Sequence, residues 1–275
     1  MMNSTRMCLV GCFLASLATP AFAQDGDDVP PVSNAPAGQY AVMRGVQAPA
    51  GMLSARLLLG INLSTDNVGK PISLAPDLYY GVSDTLQLGL VHQGPLGWQG
   101  RPGLGLCVAG KSNDCPKVYD NVGFDLMYGL AFGQFHLSAH GSLFVSSFDP
   151  TTASLALGVA GKLHANDRVA LFFDPKIAIA ISDRNTNDDV LYVPLELEYQ
   201  LGAPTTFKVL SGISGGLSTL GDTYQVPLGI GLVQNLTEHV DLGARFSFDN
   251  LLGQEPQGVG RADTRSLAVL LNIRS

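Results

Sequence analysis

Chemically capable side chains crowd one short run, where Gln134, His136, Ser138, His140 and Ser142 fall at every second position. A His and a Ser two apart on one strand face, as in His140-Gly141-Ser142, are part of a nucleophilic hydrolase, with the imidazole taking the hydroxyl proton. Such a site needs a third group to orient the imidazole, and the sequence offers no convincing one. A membrane-embedded lipid hydrolase would also turn these groups toward lipid, whereas alternation sends His140 and Ser142 to the polar face. Interior-lining polar residues are the better reading. His136 and His140 have the spacing that chelates a metal on a helix, but on a strand they stand about 13 Å apart at ~3.3 Å per residue. One ion cannot bridge them.

The run Asp183-Arg184-Asn185-Thr186-Asn187-Asp188-Asp189 offers oxygen ligands in a loop. It lacks the Gly and Glu of an EF-hand, the places being taken by Asp188 and Pro194. A solvated loop is expected, with at most loose contact to a divalent cation or lipopolysaccharide. Gly103-Leu104-Gly105 and Gly229-Ile230-Gly231 lack the third glycine and the strand-to-helix context of a dinucleotide site. The sequence therefore implies no cofactor, no metal centre and no enzyme.

What must position these residues follows from composition and period. The chain has 275 residues, 46% hydrophobic and 14% charged, against about 25% charged in an ordinary soluble domain. A net charge of −7 argues against a nucleic-acid partner, which needs a basic face. Arg6, the apolar run Cys8–Ala18 and Ala21-Phe22-Ala23 read as a cleavable signal peptide over residues 1–23, with the mature chain starting at Gln24. The rival lipobox Leu9-Val10-Gly11-Cys12 leaves almost no apolar run before its cysteine. Residues 24–50 begin acidic and proline-rich and are expected to be flexible. Export leaves Cys107 and Cys115, in a Gly/Pro/Asn-rich segment of an oxidising compartment, as a predicted disulfide.

From Leu53 onward apolar residues alternate with small or polar ones. Leu53, Ala55, Leu57, Leu59, Ile61 and Leu63 set the pattern, and Val122, Phe124, Leu126, Tyr128 and Leu130 repeat it against Gly123, Asp125, Met127 and Gly129. Period two means strands with one apolar face. Leu126–Phe148 contains no charged residue and could by length be a membrane helix. Its alternation and the central Gly133-Gln134 make it two strands and a turn. Short connections alternate with mostly longer polar ones, near 64–70, 93–117, 146–152, 182–189, 214–222 and 249–264. This is the layout of an all-β, single antiparallel up-and-down transmembrane β-barrel over residues 51–275, with about twelve strands and both termini periplasmic. Closure satisfies the strand edges that lipid cannot. Pro76, Pro175, Pro194 and Pro227 fall inside expected strands, where each removes a ladder donor, so bulges near the loop-side rim are expected there.

Parity then assigns the bore. Arg56, Lys162, Lys176 and Arg245 supply inward positive charge, and Asp77, Asp125, Asp174, Glu196, Glu198 and Asp241 inward negative charge. The excess of acids implies a weak cation preference if the bore conducts. Tyr80, Tyr128 and Tyr199 point outward and could join an interfacial aromatic girdle.

The segment Tyr80-Gly81-Val82-Ser83-Asp84-Thr85-Leu86-Gln87-Leu88-Gly89-Leu90 resembles the strand–turn–strand unit of Gram-negative outer-membrane β-barrel proteins, closest to a sparsely characterised transporter- or porin-like subgroup. Looser echoes are His164–Val169 and Gln234–Gly243. Such families usually end in an aromatic residue read by the assembly machinery, whereas this chain ends Asn272-Ile273-Arg274-Ser275. The resemblance and the alternation together imply an outer-membrane location, with lipid, lipopolysaccharide, the barrel-assembly machinery and small solutes as partners. The expected role is a passive channel gated by the 93–117 loop. The alternative is a closed structural barrel acting through its loops.

Overall fold

On the strand Val122–Ala131, Gly123, Asp125, Met127 and Gly129 are buried while Phe124, Leu126, Tyr128 and Leu130 are exposed. A water-soluble sheet would do the reverse, so the alternation has been turned inside out. The computed structural model describes residues 41–93, 104–110, 115, 117–185, 187–254 and 262–275. The expected signal peptide and the lipobox alternative lie outside them.

The strands are β1 (Leu53–Asn62), β2 (Ile72–Gly81), β3 (Leu86–Val91), β4 (Leu106–Cys107), β5 (Val122–Ala131), β6 (Phe135–Phe148), β7 (Thr151–Asn166), β8 (Val169–Phe173), β9 (Lys176–Ala180), β10 (Val190–Gly202), β11 (Thr205–Gly216), β12 (Leu228–Asn235), β13 (Val240–Phe248) and β14 (Arg265–Arg274). A short α-helix, α1 (Leu220–Thr223), sits between β11 and β12, and a 3-10 turn spans Ala41–Met43. Every pairing is antiparallel, each stave with the next along the chain, and β1 pairs both β2 and β14, which closes the barrel. β8 and β9 are two halves of one stave, and β4 is a two-residue patch on β2, so the wall has 12 staves.

The prolines explain the broken staves. Pro76 lies where the pairing of β2 passes from β3, at Leu78, to β4, at Leu74, so its missing N–H falls in a gap of the ladder. Pro175 separates β8 from β9, and Pro194 on β10 faces that same break. Pro227 sits just before β12. The escape is thus interruption of the ladder where a simple bulge had been expected. The loop expected at 146–152 is also much shorter, because β6 and β7 run on to a turn at Asp149-Pro150.

One end of the barrel carries the short connections together with Leu53 and Ser275, whose amide and hydroxyl are hydrogen-bonded at 3.0 Å. We call it the turn end and the other the loop end. Outward Tyr80, Tyr128 and Tyr199 lie near the turn end of β2, β5 and β10, each largely exposed. At the loop end Cys107 and Cys115 are joined in a disulfide, with Cα atoms 5.9 Å apart. Nearby, Asn121 bridges two segments, accepting from Gly105 N and donating to His92 O.

Candidate pore lumen

All ten charged residues assigned inward by parity line one cavity of about 940 Å³. They come from β1, β2, β5, β7, β9, β10 and β13 and the Asp174 link. The loop-end half is lined differently. Phe144 and Tyr192 project inward there and are buried, at 3% and 1% exposure, amid Ser73, Ala156 and Ser247. Neither aromatic lines the cavity.

The charges form local clusters on the wall. Lys208, on β11 beside β10, donates to Glu196 at 2.5 Å and Glu198 at 2.7 Å, while Lys162 on β7 meets Glu198 at 2.6 Å. Narrow β8 lies between β7 and β10 and lets the long side chains meet across it. A second cluster centres on His140. Its Nε2 lies 2.6 Å from Asp125 and its Nδ1 2.8 Å from Asp174, which also pairs with Lys176 at 2.7 Å. A ring with carboxylates at both nitrogens suits the doubly protonated imidazole. Gly158 makes this possible: a Cβ there would collide with the carbonyl oxygen of Pro175, so only glycine lets the Asp174-Pro175 break lean inward over β7.

That geometry does not pair His140 with Ser142: both imidazole nitrogens are occupied by carboxylates, and the buried Ser142 hydroxyl has no hydrogen-bond partner among the described residues. His136 instead packs edge-on against the His164 ring, at 5.3 Å between centroids. In the acidic loop, Arg184 pairs with Asp189 at 3.1 Å and Asn187 donates to Ala153 O and Ser182 O. Arg184, Asn187 and Asp189 are thus spent on holding the loop. Among the described residues no group of three or more His, Cys, Asp or Glu is placed to hold a metal.

Asp77 is saturated from the loop end. It accepts from the His92 amide and the Gln93 side chain, each at 2.7 Å, and from the Tyr79 hydroxyl at 3.3 Å. Its register partner Arg56 lies instead over the Tyr79 ring, 5.1 Å from the centroid.

Residues 41–50, expected to be flexible, run inside the turn end. Arg44 pairs with Asp241 at 2.7 Å, Gln47 accepts from the Ser138 hydroxyl and donates to Asp84 O, and Ala48 N donates to Gln87. Lys162 donates to Ala41 O. Buried inward polar groups need partners, and this segment supplies several. Sequence reasoning missed both this segment and Lys208. Lys208 was legible, since it alternates inward between Phe207 and Val209. Arg44 had no periodic signal to betray it.

Neither a known family nor any curated protein matches the sequence. Solved structures do match in shape. The NanC porin superposes with a TM-score of 0.55 at 9% identity, covering 80% of this chain and 98% of that one. The KdgM porin gives 0.52 at 9% identity, with the same coverage. An outer-membrane channel from Pseudomonas putida F1 gives 0.52 at 13% identity, covering 83% of this chain and 97% of that one. A closed 12-stave barrel, apolar outside and charged within, is the fold of outer-membrane β-barrels. Within that class the chain is porin-like in architecture.

Proposed function

We propose that this protein is an outer-membrane channel that passes small polar solutes by diffusion, inserted with its turn end toward the periplasm. The observation that carries the reading is the 940 Å³ cavity, lined by charged side chains inside a barrel whose outer face is apolar. The loop 93–117, which carries the Cys107–Cys115 disulfide, is the proposed gate at the loop end. Residues 41–50 form a second constriction at the turn end. Signal-peptide export, contact with lipopolysaccharide and insertion by the barrel-assembly machinery belong to the same proposal.

The burial of Phe144 and Tyr192 favours one competing reading, a closed barrel acting through its loops. Single-channel recording of the mature protein in a planar bilayer separates the two. Reproducible conductance steps support the channel. Silence from protein that is folded by its heat-modifiable gel mobility overturns it.

A further inference from the structure

Most of the lumen's charge is answered within the wall itself. Lys162 and Lys208 meet Glu196 and Glu198, and His140 and Lys176 meet Asp125 and Asp174. Arg56 faces Asp77 and Glu196, and Arg245 faces Glu196 and Asp249. The turn-end mouth is built differently. Its wall offers Asp241 on β13, Glu238 in the turn before it and Arg274 on β14, all lining the cavity. Two acidic side chains would there stand against one basic one. The second base, Arg44, comes from outside the wall. It meets Asp241 through both terminal nitrogens, at 2.7 and 3.3 Å, and with Glu238 lines an adjoining recess of about 220 Å³.

Arg44 is the one charged residue of the segment 41–50. The segment's other side-chain and backbone anchors are uncharged on its own side: Gln47 to Ser138 and Asp84 O, Ala48 N to Gln87, and Ala41 O to Lys162. The balance of side-chain charge at this mouth is therefore completed by an insert and not by the barrel. An ion in a narrow bore responds to fixed charge within about a Debye length, ~8 Å at physiological salt, and rings of charged side chains select by this means. With Arg44 seated, a passing cation meets an Asp241 already answered by two guanidiniums. We propose that Arg44 is the selectivity-determining residue of the turn-end mouth, where the seated segment offsets the cation preference that the wall's own acids confer. The inference rests on the channel reading, since it needs ions to cross.

Reversal potentials of the refolded mature protein across a KCl gradient test it, with both sides below about 0.1 M, where the Debye length is about 10 Å or more. Arg44→Gln is expected to raise the potassium-over-chloride permeability ratio several-fold. Arg44→Lys keeps the charge and should hold the wild-type ratio. Adding Asp241→Asn to Arg44→Gln removes the acid left unanswered and should bring the ratio back close to the wild-type one, which a segment acting by bulk alone would not do. An unshifted ratio in Arg44→Gln, an equal shift in Arg44→Lys, or a shift that Asp241→Asn fails to reverse in folded protein overturns the role of Arg44 while the conductance upholds the channel. Silence from folded wild-type protein overturns the channel reading, and this inference with it.

Discussion

Arg44 and Asp241 stand 197 positions apart in the chain and meet at 2.7 Å inside the turn end of the barrel. Asp241 is gripped from the other side by Arg274 and receives amide donors from Asn235 and Asn272. The contact thus ties the segment before the first strand to the last hairpin. Because Asp241 keeps those other donors, Arg44→Ala is expected to cost the barrel about 1 kcal/mol or less. Its main effect falls on the bore. Larger or longer-lived conductance steps are expected in Arg44→Ala, and larger still in a chain lacking residues 41–50. Unchanged steps in both would show that the segment lies off the solute path.

Gly81 marks where that segment crosses the wall. A Cβ there would run into the carbonyl oxygen of Pro49, while Gly81 N and O already bond Met52 O and Gly51 N. Backbone on both sides leaves nothing flexible to give way. Gly81→Ala is therefore expected to push residues 48–50 off the wall while the strands remain paired. Faster proteolysis near Ala48, with heat-modifiable mobility retained, is the expected readout.

Alternation made the staves and the inward charges legible, because side-chain parity on a strand is fixed once one outward residue is known. The Tyr80–Leu90 unit, for instance, appears as written, with its turn at residues 82–85. What alternation does not carry is pairing. It placed Asp77 and Arg56 together inside, and they are register neighbours, yet the Asp77 carboxylate turns to the His92 amide. Nor could it see residues 41–50, whose contacts are made by scattered side chains and backbone groups without any period. The third group sought for His140 existed, as Asp174, but it reaches the ring only because Pro175 breaks a stave over Gly158. Long-range contacts of that kind leave no local trace.

Acid should loosen the loop end of β5 and β6 first. Burial alone would raise the Asp120 carboxyl, but the Phe148 amide, the Ser147 hydroxyl and Lys117 all favour the anion and hold its pKa below the usual carboxylate value. A lowered folded-state pKa stabilises the fold above the unfolded value of about 3.9 and stops doing so as pH falls through the folded one. Protection of the Phe148 amide, its exchange rate taken relative to the intrinsic rate at each pH, should therefore fall below about pH 4 in the wild type. Asp120→Asn should show weak protection at neutral pH already, with little further loss on acidification. A wild-type protection factor without this dependence would remove Asp120 as the anchor of that hairpin.

His140 separates two carboxylates that would otherwise face each other across a gap in a low-dielectric wall. Asp125 and Asp174 each give it an oxygen, and one Asp125 oxygen is already buried without a partner. His140→Leu keeps much of the volume and removes both donors, leaving uncompensated charge whose cost is of the order of 3–5 kcal/mol. His140→Gln, a neutral group whose two N–H donors sit on one nitrogen, should fall between. If the histidine served Ser142 instead, Ser142→Ala would matter as much as His140→Leu. The expected result is the opposite: Ser142→Ala removes a buried hydroxyl with no partner and leaves stability unchanged or slightly raised. Urea unfolding of the three variants in lipid vesicles, followed by tryptophan fluorescence, orders them directly. A His140→Leu barrel as stable as the wild type would show that the two carboxylates are neutral or hydrated, and that the histidine is not what keeps this part of the wall together.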